Sequence, residues 1–138
     1  MSAEARPGLR MVVAGTIGVA LAYGSAFRSG GAPAWGVWAM IFGIALLAVG
    51  MMALGASRPG KPLGALRWSF LFTFVVLVGG FGAAFLLPRG ETAASPLWGG
   101  MPLRAALILY GIGFLPAIVL PLAYALTFDR STLEPGKE

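Results

Sequence analysis

Four stretches of this 138-residue chain carry no charge at all: 11–27, 35–57, 68–88 and 105–128. They are 17, 23, 21 and 24 residues long. A helix needs about 20 apolar residues, rising about 1.5 Å each, to cross roughly 30 Å of hydrocarbon. The first run sits at the short limit and the other three have length to spare for tilt. Only 11% of the chain is charged, where a soluble domain uses about a quarter. The reading is all-α: an integral membrane bundle of four transmembrane helices, forming a single domain over 1–138. A cleaved leader competes for the first run, because Arg6 and Arg10 precede it and small residues cluster at 22–26. The apolar stretch continues to Phe27, which favours a retained span.

The segments between the runs are short. Residues 28–34 form a tight turn that makes the first two helices antiparallel neighbours. Pro59-Gly60-Lys61-Pro62 marks a second turn, and 89–104 is the longest connection. The net charge of +5 belongs to lipid-headgroup flanks and not to nucleic acid. With the N-terminus in the cytoplasm, Arg6, Arg10, Arg58, Lys61, Arg67, Arg130 and Lys137 share that side. Arg28, Arg89 and Arg104 lie opposite. Excess positive charge marks the cytoplasmic face, so both termini are expected there, in a bacterial-type inner membrane. Arg58, Lys61 and Arg67 are the expected contacts to anionic lipid headgroups. Trp35, Trp38 and Trp98 would anchor the outer interface and Trp68 the inner one.

Membrane helices associate through close packing, often along small residues. The first helix offers Ala14, Gly18, Ala22 and Ala26 at four-residue steps. The fourth repeats the pattern with Gly113, Ala117, Pro121 and Ala125. The second is looser, with Ala39 and Gly43 in one stripe and Gly50 elsewhere. On the third helix Phe70, Phe74, Phe81 and Phe85 fall within about 60° of arc, beside a small stripe of Ser69, Thr73, Gly80 and Ala84. The small stripe should face the bundle. The Phe face either meets lipid or docks on a larger membrane partner. Pro116 and Pro121 each remove a backbone donor, so a kink is expected in the fourth helix.

The chain contains no His, Cys, Asn or Gln, and its five acids all lie outside the apolar runs. Inside the runs only Tyr23, Tyr110 and Tyr124 qualify for general acid–base catalysis, each near a helix end where a tyrosine is ordinarily an interface anchor, and zinc or iron binding and haem ligation lack a plausible ligand set. No enzyme activity, cofactor or metal is expected. Proton- or ion-coupled transport ordinarily leaves an ionisable residue at mid-membrane, and none is present. Passage along backbone carbonyls stays open.

Leu120-Pro121-Leu122-Ala123-Tyr124-Ala125-Leu126-Thr127-Phe128-Asp129-Arg130, followed by a short charged tail, resembles the close of small accessory subunits that accompany sodium/solute symporters. The likeness covers about a dozen residues, and those subunits have two spans rather than four. It implies a larger integral membrane protein as partner. At the level of architecture, the plan also looks like supernumerary subunits of respiratory complexes. The expected function is therefore a non-catalytic accessory subunit of a larger membrane complex, a transporter or an energy-converting assembly. The Phe stripe would be its docking face. The alternative is a small homo-oligomeric channel or carrier for an uncharged solute or ion.

Overall fold

A computed structural model describes residues 5–57, 66–88 and 96–132. Among them are α1 (Arg6–Ser29), α2 (Ala34–Ala56) and α3 (Leu66–Leu86), each one unbroken helix. The fourth span is composite: α4 (Leu103–Ala106), a π-helical segment (Leu107–Phe114) and α5 (Leu115–Thr132). Four helices are long and apolar enough to cross a membrane, with the fourth span counted over Leu103–Leu122, so this is a multi-pass membrane protein. The helices outrun the uncharged runs, most clearly in α1. Pro7 suits its first turn, where the missing N–H has no helical acceptor to lose. Arg6 and Arg10 then ride on its first turns, with long stems that let charge reach the interface.

Packing follows chain order: α1 on α2, α2 on α3, and α3 on the fourth span. No comparable packing joins α1 to α3 or to the fourth span, so the bundle is an open row. Successive spans are antiparallel, as the paired contacts of Gly15 with Gly43, Trp38 with Phe85 and Arg104 with Leu87 require. Gly30 closes α1 in the left-handed conformation at φ 64°, and Gly31 N–H reaches back to the Ala26 carbonyl at 3.2 Å. Glycine adopts this geometry without the Cβ penalty. Before α4, Gly99 and Gly100 have φ 60° and 81°. Trp98 and Met101 exchange backbone hydrogen bonds of 2.8 and 3.2 Å across them. Two consecutive positive φ values make this a type I′ turn.

The α1–α2 interface is built on glycines seven residues apart. A Cβ placed on Gly15 would lie 2.7 Å from the Gly43 carbonyl oxygen, and one on Gly43 would lie 2.9 Å from the Gly15 oxygen. One turn-pair away, a Cβ on Gly50 would meet Val12 N at 2.9 Å and the Gly8 oxygen at 3.0 Å. At the other end a Cβ on Gly36 would lie 2.8 Å from Ser25 Oγ, and Ala22 is 4% exposed. The obstacles are mostly backbone, which does not move aside. Seven residues make almost two turns, so Gly8, Gly15 and Ala22 align on one helix and Gly36, Gly43 and Gly50 on the other.

This corrects two expectations. Gly50 belongs to the same contact stripe as Gly43. On α1 the buried line runs through Gly8, Gly15 and Ala22; Ala14 is exposed, while Gly18 sits at its margin, where a Cβ would lie 3.4 Å from the Ala39 oxygen. Four-residue spacing follows a stripe that drifts around the helix, whereas seven-residue spacing stays close to one antiparallel neighbour.

The Phe stripe of α3 is also corrected. Phe70 is 8% exposed and clusters with Val49 and Ala53 of α2, with Phe74 packed against the same cluster. Phe74 meets Phe42 at a centroid distance of 6.3 Å, and Phe85 stands edge-on to Trp38 at 5.9 Å. Phe81 is half-buried. The stripe faces α2 and is no open docking surface. Trp38 packs against α3, with its ring over Gly82. Trp35, Trp68 and Trp98 are well exposed. The small stripe does turn inward: Thr73 and Ala84 are buried, and Gly80 takes Ile112 of the fourth span against its backbone.

Candidate docking face on the fourth span

The fourth span is the part of the chain with least cover. About 33% of the most apolar stretch of α2 is buried within the fold, against 6% for Leu103–Leu122. Two side chains tie its first half to α3. Ile112 presses on Gly80, whose Cβ position lies 2.5 Å from Ile112 Cγ1. Arg104 Nη2 donates to the Leu87 carbonyl at 2.8 Å and to the Pro88 carbonyl at 3.2 Å. These oxygens follow the C-terminus of α3, where a cation also complements the helix dipole.

Gly113 and Ala117 are exposed, as are Pro121 and Ala125. A Cβ on Gly113 would approach nothing closer than the Ile108 carbonyl at 3.9 Å. These small residues therefore do not bind the span to its own bundle, contrary to the sequence expectation. The span turns Ile112 toward α3 instead, and its π turns displace the faces that a regular wheel assigns. Immediately N-terminal to Pro116 the helix is in π-helical form over Leu107–Phe114. Leu115 N–H bonds the Tyr110 carbonyl, five residues back. Pro121 lies inside continuous α5.

Near the start of the span is an apolar cleft of about 280 Å³, lined by Trp98, Gly99, Leu103, Ala106, Leu107, Tyr110 and Gly111. The type I′ turn forms one wall, because Gly99 lies against the Tyr110 ring and hydroxyl. Tyr110 in turn tilts against Phe114 at 5.9 Å. A side chain added at Gly111 would meet nothing within 4 Å, so the backbone there is open. Sequence reasoning missed this cleft. Its one advance signal is the Trp-Gly-Gly-Met turn, whose paired glycines fold Trp98 back over the next helix.

Of the expected headgroup residues, Arg67 is exposed, with its guanidinium 6.0 Å from the centre of the Trp68 ring. Arg and Trp together are common at the bilayer interface. Arg58 and Lys61 lie outside the described residues. No group of three or more His, Cys, Asp or Glu that would hold a metal ion occurs among the described residues. Compared with known proteins, the chain matches no family model, no curated protein and no solved structure.

Proposed function

We propose that this protein is a non-catalytic accessory subunit of a larger membrane complex, a transporter or an energy-converting assembly, in a bacterial inner membrane. It would dock through the fourth span. The observation that supports this is a mismatch on that span. The chain places Gly111, Gly113, Ala117 and Pro121 along its most exposed helix, and α3 uses little of that surface. Small residues at a membrane-helix surface allow another helix to approach closely. Lipid needs no such accommodation. The docking surface is thus moved from the Phe stripe of α3, which α2 occupies, to the outer side of the fourth span. Both termini lie in the cytoplasm in this reading, with Arg67 among the contacts to anionic headgroups.

The test is extraction at native expression level in a mild detergent, followed by native gel and mass spectrometry. The tagged protein should co-migrate with a larger integral membrane protein. Gly111→Leu or Ala117→Leu should release it, because a Cβ at Gly111 meets nothing within 4 Å and Ala117 is exposed. Migration alone, or only as copies of itself, would sink the proposal and move attention to a homo-oligomeric channel or carrier.

A further inference from the structure

The two halves of the fourth span are held differently. Its first half is tied to α3 twice: Arg104 Nη2 bonds the Leu87 and Pro88 carbonyls at 2.8 and 3.2 Å, and Ile112 lies in the notch at Gly80. Past Ile112 these ties stop. α5 continues along α3, but among the described residues no hydrogen bond or ring contact joins the two helices. None of the described residues of α5 is buried. By contrast, α1 and α2 meet backbone to backbone at Gly15 and Gly43, where no side chain stands between them to give way. Segments with few buried contacts are those that move at least cost.

The halves meet where the winding changes. The π segment ends at Phe114 and α5 begins at Leu115. A helix is stiff because each peptide N–H ties one turn to the next. Pro116 has no N–H, so the rung it would donate across this junction is absent in α and π winding alike. A Cβ at Gly111 would meet nothing within 4 Å, and one at Gly113 nothing nearer than 3.9 Å, so no neighbour wedges the backbone there. Pro121 differs, because it lies inside continuous α5 with no change of winding beside it. We infer that the fourth span is hinged at Gly113–Pro116: the first half stays on α3 and α5 swings against it. Hinges lie at element ends, where a few residues absorb the change in backbone dihedrals. A bend of about 20° carries Leu122, about 10 Å beyond Leu115, through about 4 Å. The use of this motion rests on the accessory-subunit reading. Ala117 and Pro121 ride on the moving half, so the swing sets the surface that a partner helix meets.

The experiment measures spin-label distances by double electron–electron resonance in the full-length protein, purified alone in lipid nanodiscs. The chain has no cysteine, so introduced cysteines carry the only labels. Val13→Cys gives a reference on the glycine-packed pair, while Ile108→Cys and Leu122→Cys mark the two halves of the fourth span. All three positions are exposed. The distance from 13 to 108 should show one narrow distribution. The distance from 13 to 122 should be broadened or split by about 4 Å, the displacement of a bend of about 20°. Pro116→Ala restores a donor at the junction and should narrow the second distribution to the width of the first. Pro121→Ala should leave it broad. Equal widths for the two pairs in the otherwise unaltered protein overturn the inference. So does a second distribution that Pro116→Ala leaves broad, or one that Pro121→Ala narrows. Because the protein is measured alone, a rigid span leaves the accessory reading standing, and the lack of any partner leaves the hinge standing.

Discussion

Gly15 and Gly24 stand nine positions apart on α1 and have opposite consequences. A Cβ at Gly15 would run into the Gly43 oxygen and Leu47 N at 2.7 and 2.8 Å. Because the obstacles are backbone, Gly15→Ala must push the helices apart, at a cost of about 1–3 kcal/mol for overpacking. Gly43→Ala should do the same from the other side, and the double variant should cost less than the sum, since the first already opens the gap. A Cβ at Gly24 meets nothing within 4 Å. Gly24→Ala should therefore add about 0.5–1 kcal/mol by removing glycine's conformational freedom from a helix interior. Thermal unfolding in detergent would compare the three. Equal effects at Gly15 and Gly24 would mean that the glycine layers are not in contact. Arg104 is a second position where one side chain carries a junction. Arg104→Leu should loosen the tie between α3 and the fourth span by about 1–2 kcal/mol. Arg104→Lys should recover only part, because one ammonium does not reproduce a guanidinium that reaches two carbonyls. The same melts would report both, and an unchanged midpoint for Arg104→Leu would remove the junction from the account.

At the scale of the helix, the decisive contrast is between apolar residues that look alike in sequence. Phe70 is 8% exposed and Phe27 is 88% exposed. Phe70→Ala should cost about 3–5 kcal/mol by leaving a cavity beside Val49 and Ala53. Phe27→Ala should change stability by less than about 0.5 kcal/mol. A loss of partner in a Phe70 or Phe74 variant would then reflect a damaged α2–α3 interface and not a docking site, which is why Gly111 and Ala117 are better probes. The contrast also explains what was legible. Charge-free length is enough to place four spans, since only a helix satisfies its backbone in hydrocarbon without a closed barrel. The 3.6-residue period is enough to group Phe70, Phe74, Phe81 and Phe85 on one side of α3. Which neighbour that side meets was not legible, because Leu-like lipid and the face of α2 solvate a phenyl ring almost equally well. The glycine layers are present in the sequence as Gly36, Gly43 and Gly50, but a seven-residue spacing differs from the four-residue step that ordinarily marks a small-residue stripe. The π segment had only its cause on view, Pro116. How far proline's disturbance spreads depends on neighbours such as Gly80, which accepts Ile112 against its backbone.

The molecule as a whole is a row, and that bears on what it can do alone. A pathway through a single chain needs helices arranged around an axis. Here α1 packs on α2 and has no comparable packing with the fourth span, so the described helices do not close around a lumen. The residues that would line one also lack an ionisable group inside the apolar runs. Purified protein reconstituted alone in liposomes should therefore give no more flux of potassium, protons or glycerol than empty vesicles. Flux that rises with a power of the protein-to-lipid ratio would instead show self-assembly around the exposed fourth span, and would overturn the accessory reading directly. Orientation belongs to the same scale. Since the chain has no cysteine, single cysteines report without background. Ser29→Cys and Leu97→Cys sit at one end of the row and Ser57→Cys at the other. If the seven-to-three excess of basic residues sets the topology, an impermeant maleimide should label the first two in spheroplasts and reach Ser57→Cys only after permeabilisation. That result would place the Trp98 turn and the mouth of the cleft on the outer leaflet side. A partner helix lying along Gly111 and Gly113 would then meet the cleft with its outer half. The reverse labelling pattern would put the cleft at the inner leaflet and both termini outside, against the charge rule.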